Sequence, residues 1–131
     1  VVSAVERVLT SDGSPVRTHL GDISSIRVYK ANSSGGEVGP VNIWTPSMDG
    51  SGNGTGPVVD GRALHFAETS SGWAKCSRVN TTANPDSIGI RITYTYRAIT
   101  PLAGIMNLIG GSGSATLAMS DRSVMALNPT D

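Results

Sequence analysis

The chain is patterned chiefly for strands. Ile88, Ile90, Ile92, Tyr94 and Tyr96 alternate without a break against Ser87, Gly89, Arg91, Thr93, Thr95 and Arg97. A period of two carried by β-branched and aromatic residues predicts a long, half-buried strand over Ser87–Arg97. Ile23–Ala31 reads as another strand, with Ile26 and Val28 on one face and Arg27 and Tyr29 on the other. Asn32-Ser33-Ser34-Gly35-Gly36 then marks a turn, and Val41–Thr45 is a short second strand closed by Pro46. Arg62–Glu68 suits a strand or irregular structure. Ser114–Leu127 predicts a last long strand, in which Ala115, Leu117, Met119, Met125 and Leu127 share a face interrupted by Asp121 and Ser123. A bulge near Ser120-Asp121-Arg122 would restore that pattern.

Two segments change to a helical period. Val1, Val2, Val5, Val8 and Leu9 fall on one side of a helix over Val1–Thr10, with Ser3, Glu6, Arg7 and Thr10 on the other. Asp12-Gly13 and Pro15 end it. No N-cap residue precedes its apolar start, so the helix is expected to continue upstream in a longer parent. Thr100-Pro101 reads as an N-cap and first helical position. Leu102, Ile105, Met106 and Ile109 then recur at i, i+3, i+4 and i+7 until Gly110-Gly111. Ala103 and Leu108 widen this stripe. Core packing is the ordinary use of such a stripe, and the functional alternative is a docking face for a partner subunit or a membrane surface.

The order of elements predicts an α+β fold: one domain over residues 1–131, with a mostly antiparallel sheet, an N-terminal helix packed on one face, long loops and a short second helix. Residues 1–22 form the helix and its connection, and residues 23–131 form the sheet region. Glycines at 50, 52, 54 and 56 make residues 47–60 a low-complexity stretch, expected to be a mobile surface loop. Asn80–Pro85 is a second loop.

Composition narrows the classes of function. Ten Lys+Arg balance ten Asp+Glu, so no basic footprint points to nucleic acid or to a polybasic membrane patch. The 15% charged content and 16 glycines lean towards an extracellular β-rich surface. Arg27, Arg91 and Arg97 fall on polar strand faces while several acids fall in turns. Charges of both signs are therefore expected to share one exposed surface, open to subunit packing without bulk repulsion. One cysteine, Cys76, excludes an intrachain disulfide and a four-cysteine zinc site, and is expected to be a small buried apolar residue. No run reaches the length of a membrane-spanning helix. Asn32, Asn53 and Asn80 sit in glycosylation sequons.

Motifs for chemistry are sparse. His19 and His65 have no metal-ligand spacing. Gly110-Gly111-Ser112-Gly113 is not a nucleophile elbow, no phosphate-binding glycine loop occurs, and no acid pair stands out for general acid–base work. The expectation is a protein that is not an enzyme, with no cofactor, no metal and no small-molecule substrate. Asp49, Ser51, Asn53, Gly54 and Asp60 occupy positions 1, 3, 5, 6 and 12 of a calcium-loop pattern, but two carboxylates give little ligand charge. This loop carries the alternative reading of a secreted Gly/Ser-rich binding or adhesin domain with a weak calcium loop.

Five segments, in order, are similar to one family. ISSIRVYKA (Ile23–Ala31) resembles the opening strand of TadE-like pilus assembly proteins. VNIWTP (Val41–Pro46) resembles the family's next segment. GWAKCSR (Gly72–Arg78) resembles its W-x-x-S-x-R stretch, with Cys76 at the serine position. DSIGIRITYTYRAIT (Asp86–Thr100) resembles its long alternating strand, and MSDRSVMALNP (Met119–Pro129) its closing D-R-S-V-M segment. Ala126 and Asn128 stand where the family pattern has Arg and Glu, and Cys76 lacks the second cysteine that relatives often carry. The resemblance implies a pilin-like fold and a minor pseudopilin role in a tight-adherence, type IV-like pilus. It implies an extracytoplasmic domain, anchored by an N-terminal membrane helix absent from this chain or incorporated in a filament. Its partners would be other pilin or assembly subunits, and Leu102, Ile105, Met106 and Ile109 would be the candidate interface.

Overall fold

A computed structural model describes residues 1–14, 16–81, 83–97 and 116–126. Helix α1 (Val2–Leu9) opens the chain. The strands are β1 (Ile23–Ala31), β2 (Glu37–Pro46), β3 (Val58–Val59), β4 (Arg62–Ala63), β5 (Phe66–Ser71), β6 (Ser87–Arg97) and β7 (Thr116–Ala126). Single 3-10 turns lie at Leu20–Asp22 and Lys75–Ser77. Five strands form one sheet in the order β5-β2-β1-β6-β7, and every neighbouring pair in it is antiparallel. β3 and β4 form a separate two-stranded hairpin.

The expected α+β, pilin-like architecture is corrected by this arrangement. The described residues are mostly antiparallel sheet with one short helix. Eight residues make a rod of only about 12 Å, too short to lie across five strands. α1 meets the core along one stripe, through Val2, Val5 and Leu9. The expected second helix lies outside the described residues.

The core collects on one face of the sheet. Ile26 and Val28 of β1 join Phe66 of β5, Ile88 of β6, Trp73, Leu20, Ile23 and Val2. Ile23 and Ile26 would point to opposite faces under strict alternation. The register shifts between Ile23 and Ser25 against β6, and this bulge brings Ile23 back to the core face. The Ser24 hydroxyl donates to the Thr93 carbonyl at 3.0 Å beside it.

The opposite face is not simply polar. Tyr29 is fully buried there, because it stands in register with Gly89. A Cβ at Gly89 would lie 2.2 Å from Tyr29 Cε2, so the ring occupies the space that any other residue would fill. The Tyr29 hydroxyl donates to the Gly35 carbonyl at 3.2 Å.

The glycine-rich stretch over residues 47–60 is built rather than loose. The Asp49 carboxylate accepts from the backbone N–H of Ser51 and Asn53, both at 2.9 Å, and from Asn53 Nδ2 at 3.0 Å. The Gly56 N–H donates to Leu64 O at 2.8 Å. A Cβ at Gly56 would come within 2.4 Å of Phe66 O. Glycine is needed there for backbone to approach backbone, so this surface stretch packs against the segment leading into β5 at Gly56.

The bulge expected near Ser120-Asp121-Arg122 does not occur. β6 and β7 pair without a shift from Arg97↔Thr116 to Ser87↔Ala126. Asp121 and Ser123 can therefore sit within the apolar face of β7 because that face is exposed, not core.

Candidate partner interface

The core face thins out along β6. Ile88 is 3% exposed at one end and Tyr96 is 45% exposed at the other. β7 continues the sheet beyond β6 and carries Leu117, Met119 and Met125 on this same face, at 60%, 40% and 56% exposure. Asp121 interrupts them and accepts from the Tyr94 hydroxyl at 3.3 Å. Burial first, and then the Asp121 charge, pushes the Tyr94 phenol above its ordinary range. Apolar side chains held open on a regular strand are what a docking surface requires, because they gain from being covered without refolding.

The reverse face of the same strands carries arginines in register. Arg27 of β1 faces Arg91 of β6, and Arg91 faces Arg122 of β7. One acid serves the row. Glu37 accepts from Arg27 at 2.6 Å and 3.3 Å and lies 3.7 Å from Arg91 Nη1. The Arg27 hydrogen bond holds the Glu37 carboxyl below the usual carboxylate range. The Arg91 guanidinium stands 5.6 Å over the Tyr29 ring. Arg122 is exposed on the outermost of the described strands. The charge is therefore less evenly mixed than expected, with one sign prevailing along this row.

A second joint lies between α1 and the β3–β4 hairpin. Its cleft holds about 250 Å³ and is lined by Ser3, Arg7 and Thr10 from the helix and by Val59, Asp60 and Arg62 from the hairpin. Arg7 bridges it to Asp60 at 2.8 Å. Both of those side chains are largely exposed, so the pair contributes little. Glu6 lies at the base, 2% exposed. Its carboxylate accepts from the His65 N–H at 3.0 Å to each oxygen and lies 2.7 Å from His65 Nδ1. These bonds tie the helix to the segment leading into β5.

The residues singled out from sequence fare unevenly. Leu102, Ile105, Met106 and Ile109 lie outside the described residues. Of the calcium-loop residues, Asp49 is folded into its own turn and Asp60 pairs with Arg7. Asn53, through its side-chain amide and then its N–H, holds the Asp49 carboxyl below the usual range. Among the described residues no group of three or more His, Cys, Asp or Glu could hold a metal ion. Cys76 is exposed in its 3-10 turn, against the expectation of burial. Its neighbour Trp73 takes the buried position instead, with Arg78 4.8 Å over its ring.

Sequence reasoning missed Glu6, the Arg27–Arg91–Arg122 row and the open apolar side of β7. Pairing the strands would reveal the row, since the alternation puts both Arg27 and Arg91 on polar faces. Glu6 gave no signal, because its partner is 59 residues away. Among the described residues no helix is long and apolar enough to cross a membrane. No family model, curated protein or solved structure matches the chain.

Proposed function

We propose that the protein is a structural, assembly-type subunit that acts by packing against other protein subunits rather than by covalent chemistry. The supporting observation is the row Leu117, Met119 and Met125, exposed on the outermost of the described strands and continuous with the core face of the sheet. The resemblance of five ordered segments to TadE-like proteins supplies the setting: a minor pseudopilin-like component of a tight-adherence pilus. In that setting the domain stands outside the cytoplasm, anchored by a membrane helix or built into the filament. Its partners are pilin or pilus-assembly subunits.

The test is a double substitution, Met119→Asp with Met125→Asp, in the full-length protein expressed by its own host. Both side chains are exposed, so folding and protein level should be unchanged while surface filaments are lost. Normal filaments with the double variant would contradict the proposal.

A further inference from the structure

Among the described residues β7 is the last strand of the sheet, and its eleven residues pair with β6 along their whole length. In an antiparallel strand alternate backbone groups point away from the neighbour. Among the described residues no strand covers its outer edge, so β7 presents a regular row of N–H and C=O groups there. Edge strands usually avoid added pairing through proline, lysine or a bulge. β7 has none of these. Its two charged residues are Asp121, which the Tyr94 hydroxyl already engages, and Arg122, which an acidic neighbour would turn from a block into a selector.

The two faces of β7 specify what could be added. On the core face Leu117, Met119 and Met125 call for apolar neighbours. On the reverse face Arg122 follows Arg91 and Arg27 in register, and Glu37 is taken by the latter two. Like charges directly opposite repel, so a carboxylate beside Arg122 would relieve the row as well as pair with it.

A second copy of this chain does not supply that carboxylate from β7 itself. In a two-fold antiparallel pairing, residues of the same sheet face stand opposite one another. Asp121 lies on the core face and Arg122 on the reverse face. They cannot meet in any register, and the register centred on residue 122 opposes two arginines.

We infer that β7 receives an added strand from a different protein: an extended segment with apolar side chains on one face and a carboxylate on the other, placed against Arg122. This rests on the assembly reading above and names the chemistry of the partner.

The probe is a labelled synthetic peptide alternating valine with threonine, with one central threonine replaced by glutamate. Its controls are the same peptide with lysine at that place and a scrambled glutamate peptide. Binding is followed by fluorescence anisotropy, and amide hydrogen exchange of β7 is read on the same samples. The glutamate peptide should bind and slow exchange along β7. Arg122→Glu should weaken it about tenfold, the size expected when a favourable cross-strand pair becomes a repulsive one, and should strengthen the lysine peptide. Arg122→Gln should fall between.

Equal binding of the scrambled peptide, binding indifferent to residue 122, or no binding by the glutamate peptide would overturn the inference. So would displacement by inorganic phosphate without any change in β7 exchange, which would make the row a simple anion site. None of these outcomes bears on the Met119/Met125 filament test, so the two proposals fail separately.

Discussion

Asn42 and Trp73 hold each other through both ends of one amide. The Trp73 N–H donates to Asn42 Oδ1 at 2.6 Å, and Asn42 Nδ2 donates to the Trp73 carbonyl at 3.1 Å. Asn42 lies in β2 opposite Val28, on the core face, where a polar side chain is costly unless fully paired. The side chain acts as a short piece of added strand, fixing the loop that buries Trp73 against the core.

Asn42→Ala leaves a buried N–H and a buried carbonyl without partners. The expected loss is about 2–3 kcal/mol, read as a lower urea midpoint with an unchanged slope. Asn42→Asp keeps the acceptor and loses the donor, so it should be destabilised as well. Stability within error of wild type for both variants would show that the amide bonds do not secure the loop.

Gly89 and Tyr29 make a second such pair. Gly89→Ala puts a methyl group into the Tyr29 ring, and overpacking of this kind costs roughly 1–3 kcal/mol. With Tyr29→Ala in the background the added cost of Gly89→Ala should largely vanish, giving a strongly non-additive cycle. Additive effects would mean that the ring does not fill that space.

Acid should weaken the fold in a defined direction. The Lys30 side chain, 2.6 Å away, and then the Val79 N–H hold the Asp86 carboxyl below its ordinary range. Arg27 does the same for Glu37. A carboxyl lowered in the folded state contributes stability that is present above its unfolded value of about 4 and is lost as pH falls through its folded value. The melting temperature should therefore be flat near neutrality and drop below about pH 4. Asp86→Asn should be less stable at pH 7 and show a shallower acid drop. An identical drop in that variant would remove Asp86 from the explanation.

The elements most legible in sequence were those whose pattern is local. Ile23–Ala31 and Ser87–Arg97 have the boundaries that their alternation predicts. What escaped depends on partners distant in sequence. Alternation puts Tyr29 on the same face as Arg27, but its burial needs Gly89 across the β1–β6 ladder. Glu6 fits the polar side of α1 by periodicity and becomes buried only because His65 binds it. The expected bulge in β7 assumed that its apolar face was core. The exposed, unbroken strand shows that the interruption by Asp121 needed no repair. The helical stripe Leu102, Ile105, Met106 and Ile109 lies outside the described residues, and among those described the exposed apolar surface lies on a strand.

The central claim is that the open face of β7 is covered by another subunit, and site-specific photo-crosslinking tests it most directly. A photoreactive residue would replace Met119 in the full-length protein in its host, with a control at Glu68, which is exposed on the opposite edge strand β5. Crosslinks to other protein subunits, identified by mass spectrometry, are predicted from position 119 and not from position 68. No crosslink from 119, or equal crosslinking from both positions, would contradict the account.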